Sequence, residues 1–155
     1  MGLARGVADR LGRVAGVQAV VLGGSLARGA ARPDSDIDLG IYYRPDRPPD
    51  LEVLRRLAAE LDDSGSGEAV TDFGAWGPWI NGGAWLRVQG GPLDLLYRDL
   101  NRVETVLEGC LQGRLERYVQ PGHPHGFHTH IYLGELFYCC ALFDPDGIIA
   151  GLKAQ

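Results

Sequence analysis

Two aspartates separated by one residue, Asp36 and Asp38, are the side chains of this sequence best suited to catalysis. They open the apolar run 37–43, which is short, bounded by turn residues, and therefore predicts a buried strand. Side chains alternate between the faces of a strand, so both carboxylates point the same way, about 7 Å apart. Like charges at this spacing repel, and the pair therefore favours a hard divalent cation such as Mg²⁺. A solvated turn is the alternative interpretation.

A glycine-rich turn precedes this pair, where the apolar run 19–22 ends in Gly-Gly-Ser. Glycine lets the backbone approach an anion closely, and successive N–H groups form a nest for phosphate. Gly24 is predicted to give backbone access and Ser25 to contact the outer phosphates, although Ser25 also suits a plain helix N-cap. Arg28 and Arg32 are either bidentate phosphate donors or solvated surface residues. A phosphate nest beside metal-binding carboxylates predicts chemistry on a nucleoside triphosphate.

The combination of Gly24-Ser25 with Asp36-Ile37-Asp38-Leu39 resembles the signature of the nucleotidyltransferase superfamily, which has the polymerase-beta-like fold. The amino-acid sequence of both motifs is most similar to that of the minimal bacterial members and of the aminoglycoside nucleotidyltransferases. The resemblance is strong over residues 18–43 and extends more weakly to about residue 100. It implies an α/β (α+β) fold in which helices flank a small, mixed and twisted β-sheet, with the active site at one edge of the sheet.

The resemblance also implies a third carboxylate on a neighbouring strand. Asp94 fits this position, because it is an isolated acid flanked by leucines in the apolar run 92–97. Buried acids are rare unless they are paired or bind metal. A strand-end acid in a salt bridge is the alternative. The implied catalytic and metal-binding set is Asp36, Asp38 and Asp94 around one or two Mg²⁺ ions, with Asp94 also a candidate general base.

The implied reaction is Mg²⁺-dependent transfer of a nucleoside monophosphate, with AMP from ATP expected, to a hydroxyl acceptor with release of pyrophosphate. The acceptor is a small molecule such as an aminoglycoside, or a protein side chain. One alternative is an antitoxin-like protein of the same fold that binds or modifies a partner toxin. Another is a catalytically idle nucleotide-binding module. The sequence leaves open the acceptor, the base preference, and whether the chain forms a homodimer or binds a partner protein.

The composition of the 155 residues is that of a globular domain, with 45% hydrophobic and 23% charged residues. The net charge of −5 argues against nonspecific nucleic-acid binding. No apolar stretch reaches the ~20 residues of a membrane span, and the first residues lack the apolar core of a signal peptide. Three cysteines, two of them adjacent, give no even disulfide framework. These features predict a cytoplasmic protein without a membrane partner.

Hydrophobic periodicity divides the chain into helices and strands. Helices are predicted at 3–14, at 51–61 with Asp50 as N-cap, at 101–112 with an Asn101–Glu104 capping box, at 131–143 and from 148 onwards. A further short helix is predicted directly after Ser25. Strands are predicted from about Gln18, at 36–43, at 68–73, at 84–88 and at 92–97, with a hairpin at Asn81-Gly82. We expect a catalytic domain at 1–120 and a helical extension at 121–155, which is either the start of a truncated helical domain or a frayed terminus.

Other chemically capable side chains receive simpler interpretations. The four histidines at 123–130 lie in a loop without a cysteine at ligand spacing, so we reject a zinc site and leave open a place in an acceptor pocket. Trp76, Trp79 and Trp85 suit either ring stacking or ordinary packing, and packing is favoured. Tyr138 and the Cys139-Cys140 pair are predicted to lie in the core of an apolar helix.

Overall fold

The computed structural model describes residues 2–155 and has the mixed α/β fold that the sequence predicts. Its elements in chain order are α1 (Gly2–Leu11), β1 (Val17–Leu22), α2 (Gly24–Ala27), β2 (Ile37–Tyr43), α3 (Leu51–Leu61), β3 (Gly83–Val88), β4 (Gly91–Asp99), α4 (Leu100–Leu111), β5 (Arg117–Tyr118), β6 (Phe127–His128), α5 (His130–Tyr138), β7 (Cys140–Phe143) and α6 (Ile148–Lys153). Within the described residues, no helix combines the length and apolar character that a bilayer crossing requires.

A five-stranded mixed sheet organises the molecule, with its strands in the order β3-β4-β2-β1-β7. β2 and β4 pair in parallel, and the other neighbouring strands pair antiparallel. A parallel pair needs a crossover connection, which α3 and β3 lie within. β2 and β4 are therefore inner strands, flanked on both sides, and they are the strands that carry the conspicuous acids. Short strands β5 and β6 form a separate pair.

Helices cover both faces of the sheet. α1 and α3 contribute to one hydrophobic core, while α4, α5 and α6 contribute to the other. The alternation of β2 divides its side chains between the two cores: Leu39, Ile41 and Tyr43 join the first, and Tyr42 joins the second. Asp38 is four residues before Tyr42 on β2, so both side chains lie on the same face of the sheet, the face that α5 covers.

Several local predictions are confirmed. Asp50 caps α3, its carboxylate accepting the backbone N–H groups of Glu52 at 2.8 Å and Val53 at 3.2 Å, and the helix ends at Leu61 as expected. The predicted strands at 84–88 and 92–97 are present as β3 and β4, and they pair antiparallel around a turn at 89–90. The short helix at the glycine turn is present as α2.

The predicted strand at 68–73 and the hairpin at Asn81-Gly82 are wrong. Thr71 pairs with the backbone of Gly83, but its neighbours form turns instead of continuing a ladder. Gly83 has a φ of +156°, and a Cβ there would lie 1.7 Å from the carbonyl oxygen of Leu95. Glycine at this position therefore lets β3 begin with its backbone close against β4, and the segment before it does not form the second strand that a hairpin needs.

The predicted helix at 131–143 ends early, and its second half is a strand. α5 stops at Tyr138, Cys139 adopts an extended conformation with φ −60° and ψ 152°, and the following residues form β7. β7 pairs antiparallel with β1, whose outer edge would otherwise leave backbone groups unpaired. The core prediction for this segment is correct only for Cys139, because Tyr138 and Cys140 are exposed.

The capping box predicted for α4 is also wrong. The cap is Asp99, whose carboxylate accepts the N–H groups of Asn101 at 2.9 Å and Arg102 at 3.3 Å. Asn101 and Glu104 instead both accept hydrogen bonds from the Arg44 guanidinium, which follows β2. A long-range ion pair thus takes the side chains that the local motif would have used.

Candidate functional site

The structure brings the three predicted carboxylates together. Asp38 and Asp94 are direct partners in the parallel register of β2 and β4, and Asp36 lies just before β2. One oxygen from each of the three side chains lies within 4.8 Å of the others. We call these three residues the acidic cluster. It lies on inner strands near the point where both begin, and so not on a lateral edge strand of the sheet.

The glycine turn packs directly against this cluster. The N–H of Gly23 donates to the carbonyl of Asp38 at 2.9 Å, which fixes the end of β1 beside β2. Gly24 has a φ of +60°, and a Cβ there would lie 1.7 Å from Oδ2 of Asp38. Only glycine fits this position, because any side chain would overlap the carboxylate and force a conformation disfavoured for L residues.

Ser25 supplies an uncommitted polar atom at the same place. Its Oγ is buried and has no hydrogen-bond partner. A buried hydroxyl without a partner costs stability, so its presence beside the acidic cluster is consistent with a ligand that completes it. The N-cap of α2 is Gly23 and Ser25 lies inside the helix, so the hydroxyl is not used as a helix cap.

The two candidate arginines occupy different positions. Arg28 follows α2, donates from Nε to the carbonyl of Gly24 at 3.2 Å, and lines the cavity beside the cluster. Arg32 lies in an exposed turn, where its backbone N–H donates to Oγ of Ser35 at 2.8 Å. The structure thus places Arg28 at the site and Arg32 on the loop that leads to Asp36.

Burial and mutual repulsion perturb the carboxylates. The pKa of Asp38 is raised to about 6, first by burial, then by the charges of Asp36, Asp94 and Glu135, with Arg28 acting in the opposite direction. The pKa of Asp94 is also raised, by burial and by the charge of Asp36. The repulsion between these carboxylates destabilises their ionised forms, and a bound cation would stabilise them.

A cavity of about 370 Å³ opens beside the cluster, between the sheet and α5. The glycine turn, Arg28 and Asp38 form one end of it, and Tyr42, Arg98 and Glu135 line it further in. Glycines occupy several wall positions, which leaves room for a ligand next to the strand backbone.

Arg98 and Glu135 are functional candidates that the sequence-based reasoning missed. Arg98 is 3% exposed and forms a bidentate pair with Glu135 of α5, at 2.9 Å and 2.8 Å. The pair joins β4 to the helix that forms the opposite wall of the cavity. Two signals were present: Arg98 shares the strand face of Asp94, and Glu135 is the acid within the apolar run that forms α5.

The aromatic candidates divide into packing and surface residues. Trp79 packs against Phe127 and Tyr118, as the packing interpretation predicts. Trp76 stacks on Trp85, and Trp85 is exposed at the sheet surface. The histidine loop lies beyond α4, where His123 packs edge-on against Phe127.

The residues of the site fit a magnesium ion. Three carboxylate oxygens within 4.8 Å of one another are the hard donors that Mg²⁺ prefers, and their mutual repulsion is the electrostatic cost that a cation removes.

Comparison with known protein families gives one match. A family model described as a nucleotidyltransferase domain matches residues 3–71, from α1 to just beyond α3. The resemblance to the nucleotidyltransferase superfamily is thereby confirmed, and the match supports a transferase. The matched region contains the glycine turn, Asp36 and Asp38, while Asp94 lies outside it. The comparison with curated proteins finds no match.

Proposed function

We propose that this protein is a Mg²⁺-dependent nucleotidyltransferase that moves a nucleoside monophosphate, with AMP from ATP expected, to a hydroxyl acceptor and releases pyrophosphate. The observation that carries the proposal is the acidic cluster, with its oxygens within 4.8 Å, packed against a glycine whose Cβ position the Asp38 carboxylate occupies. A phosphate nest in contact with a metal-binding carboxylate suits a metal–triphosphate complex.

Asp36, Asp38 and Asp94 would hold the metal, which would neutralise charge on the transferred phosphate and on the leaving oxygens. Gly24 and the free hydroxyl of Ser25 would bind the outer phosphates. Arg28 at the cavity, and Arg32 on the adjoining loop, would donate to phosphate oxygens.

The cavity between β2, β4 and α5 would receive the nucleoside. Its lining is mainly apolar near Ile131 and Leu96 and charged at Arg98 and Glu135, which suits a flat base with polar edges. The glycine turn and Asp38 line the same cavity, so a nucleoside inside it would place its phosphates near the acidic cluster.

In the proposed step, the acceptor hydroxyl oxygen forms a bond to the α-phosphorus while the bond from that phosphorus to the α,β-bridging oxygen breaks. The hydroxyl proton passes to the Asp94 carboxylate and then to solvent, and pyrophosphate leaves with the bonding pair. In the metal-free protein, burial and the charge of Asp36 raise the pKa of Asp94, and a bound Mg²⁺ would act in the opposite direction.

The proposal includes a small-molecule or protein-side-chain acceptor, and a cytoplasmic location. The proposal keeps a catalytic domain at 1–120 and a helical extension at 121–155, which contains β6, α5, β7 and α6. This extension would contribute one wall of the nucleotide cavity through α5.

Calorimetric titration of ATP and GTP, with and without Mg²⁺, tests the proposal. We expect Mg²⁺-dependent binding that an Asp36→Asn/Asp38→Asn double variant loses. Asp34→Asn, in the exposed turn before the cluster, serves as the matched charge control and retains binding. If the folded protein binds neither nucleotide, the transferase proposal is rejected, and an antitoxin-like partner-binding role becomes the better interpretation.

A further inference from the structure

An exposed tryptophan adjoins the acidic cluster on the same face of the sheet. Trp85 of β3 is the direct register partner of Asp94 of β4, and Asp94 is in turn the register partner of Asp38 of β2. Directly paired side chains share a face, with Cβ atoms about 5 Å apart. Trp85, Asp94, Asp38 and the glycine turn thus form one row across the sheet, with Asp94 between the tryptophan and the turn.

Trp85 presents an open aromatic face. It is 64% exposed, and its ring stacks on Trp76 with centroids 4.4 Å apart and planes 16° apart. Stacking covers one side of the indole, so its exposure belongs mainly to the other side and the ring edge. Trp76, on the turn segment before β3, packs on that covered side. Tryptophan, with an apolar ring and a polar N–H, is enriched at contact surfaces.

The geometry of phosphoryl transfer indicates which end of this row faces the leaving group and which end faces the attacking hydroxyl. The attacking and leaving oxygens lie roughly in line on opposite sides of the transferred phosphorus. If the outer phosphates bind at Gly24 and Ser25, the leaving group lies on the glycine-turn side. The attacking hydroxyl then approaches from the side of Asp94 and Trp85. The nucleoside cavity lies towards α5 and does not include Trp85 among its lining residues.

We propose that Trp85, backed by Trp76, is the binding platform for the acceptor, and that the acceptor carries its reactive hydroxyl on a ring that stacks on the indole. The inference rests on the proposed nucleotidyl transfer and names the acceptor class for that site. A phenol ring can stack through its flat face, and a sugar ring through the C–H groups on one of its faces. Stacking places the ring next to Asp94, the residue proposed to take the hydroxyl proton.

The test uses the full chain labelled with 5-fluorotryptophan and saturated with Mg²⁺ and α,β-methylene-ATP, which does not turn over. Fluorine NMR follows Trp85 during titration with glucosamine, with N-acetyltyrosinamide, and with glycerol as a hydroxyl compound that has no ring. The Trp85→Leu variant identifies the resonance. Phe137→Leu removes another exposed aromatic side chain, on α5 and outside the row, and is the matched control.

We expect one of the two ring compounds, and not glycerol, to shift the Trp85 resonance saturably. Trp85→Leu should weaken that binding by roughly tenfold or more, the range seen for ring stacking on aromatic side chains. Trp85→Phe should restore most of it, and Phe137→Leu should leave it unchanged. The affinity for Mg²⁺ and the nucleotide should be the same in all variants.

Two results would overturn the inference while leaving the proposed function intact. One is ring binding that Trp85→Leu does not weaken. The other is a Trp85 resonance that responds to neither ring in a protein that binds the Mg²⁺–nucleotide complex. A wild-type protein that fails to bind that complex would instead reject the proposed function, and the acceptor assignment with it.

Discussion

Replacing Asp38 by asparagine should stabilise the metal-free protein at neutral pH. The folded structure raises the pKa of this carboxyl from 3.8 to about 6, chiefly through burial and the charges of Asp36 and Asp94. A shift of this size corresponds to about 3 kcal/mol at most, at about 1.4 kcal/mol per unit. Asp38 is half-buried, so solvent screening reduces this to roughly 1–2 kcal/mol.

The sign of the effect follows from proton linkage. Because the pKa is higher in the folded state, that state holds the Asp38 proton more tightly than the unfolded state does. The free energy of unfolding therefore falls as the pH rises from about 4 to above 6, and the full cost is present at pH 7.5. Below pH 4 the carboxyl is protonated in both states, and the cost disappears. The asparagine in Asp38→Asn is uncharged at every pH, so the variant does not lose this stability as the pH rises.

Urea unfolding in EDTA at pH 4, pH 6 and pH 7.5 measures the difference. From pH 4 to pH 7.5, the free energy of unfolding of the variant should rise by roughly 1–2 kcal/mol relative to that of wild type. This corresponds to about 2–8 °C in Tm for a chain of this size. The control Asp34→Asn should track wild type at every pH. Addition of Mg²⁺ should stabilise wild type more at pH 7.5 than at pH 4. If the difference in free energy of unfolding between Asp38→Asn and wild type does not change with pH, the electrostatic reasoning is refuted.

Three further substitutions test separate parts of the fold and site. Gly24→Ala should reduce Mg²⁺-dependent ATP affinity at least tenfold in calorimetry, because its Cβ overlaps the acidic cluster, whereas Gly29→Ala has a similar φ of +68° and open space and should retain binding. Glu135→Gln should lower the free energy of unfolding by roughly 2–4 kcal/mol, since it leaves buried Arg98 without its carboxylate; a change under 0.5 kcal/mol in urea unfolding would contradict this. Asp99→Ala should cost about 1 kcal/mol in the same assay by removing the α4 cap, and an unchanged midpoint would show that the cap is dispensable.

The centre of the candidate site could be predicted because its information is local. The abrupt end of an apolar run in glycine and the alternation around Asp36 and Asp38 specify two strand ends without reference to the rest of the chain. Asp94 could be predicted from an isolated acid between leucines. The register that places it opposite Asp38 could not, because it depends on how distant strands pair.

Features that arise from packing between distant elements could not be predicted. The apolar run at 131–143 suits a helix and a strand equally well by composition, and the free edge of β1 decides that its last residues become β7. The ion pair of Arg98 and Glu135 exists because α5 packs over the sheet. The Asn101–Glu104 motif was predicted as a cap because sequence alone does not show that Arg44 lies within reach.

The parallel pairing of β2 and β4 also has a consequence for how the protein folds. β1 and β2 are close in sequence and can form a hairpin early, which orders the strand that carries Asp36 and Asp38. Asp94 joins them only after a long loop has closed, at an entropic cost that slows non-local pairing. An early intermediate should therefore offer a cation two carboxylates, and the native chain three. The luminescence of a bound lanthanide would then report, during refolding, the moment at which the central strands of the sheet meet.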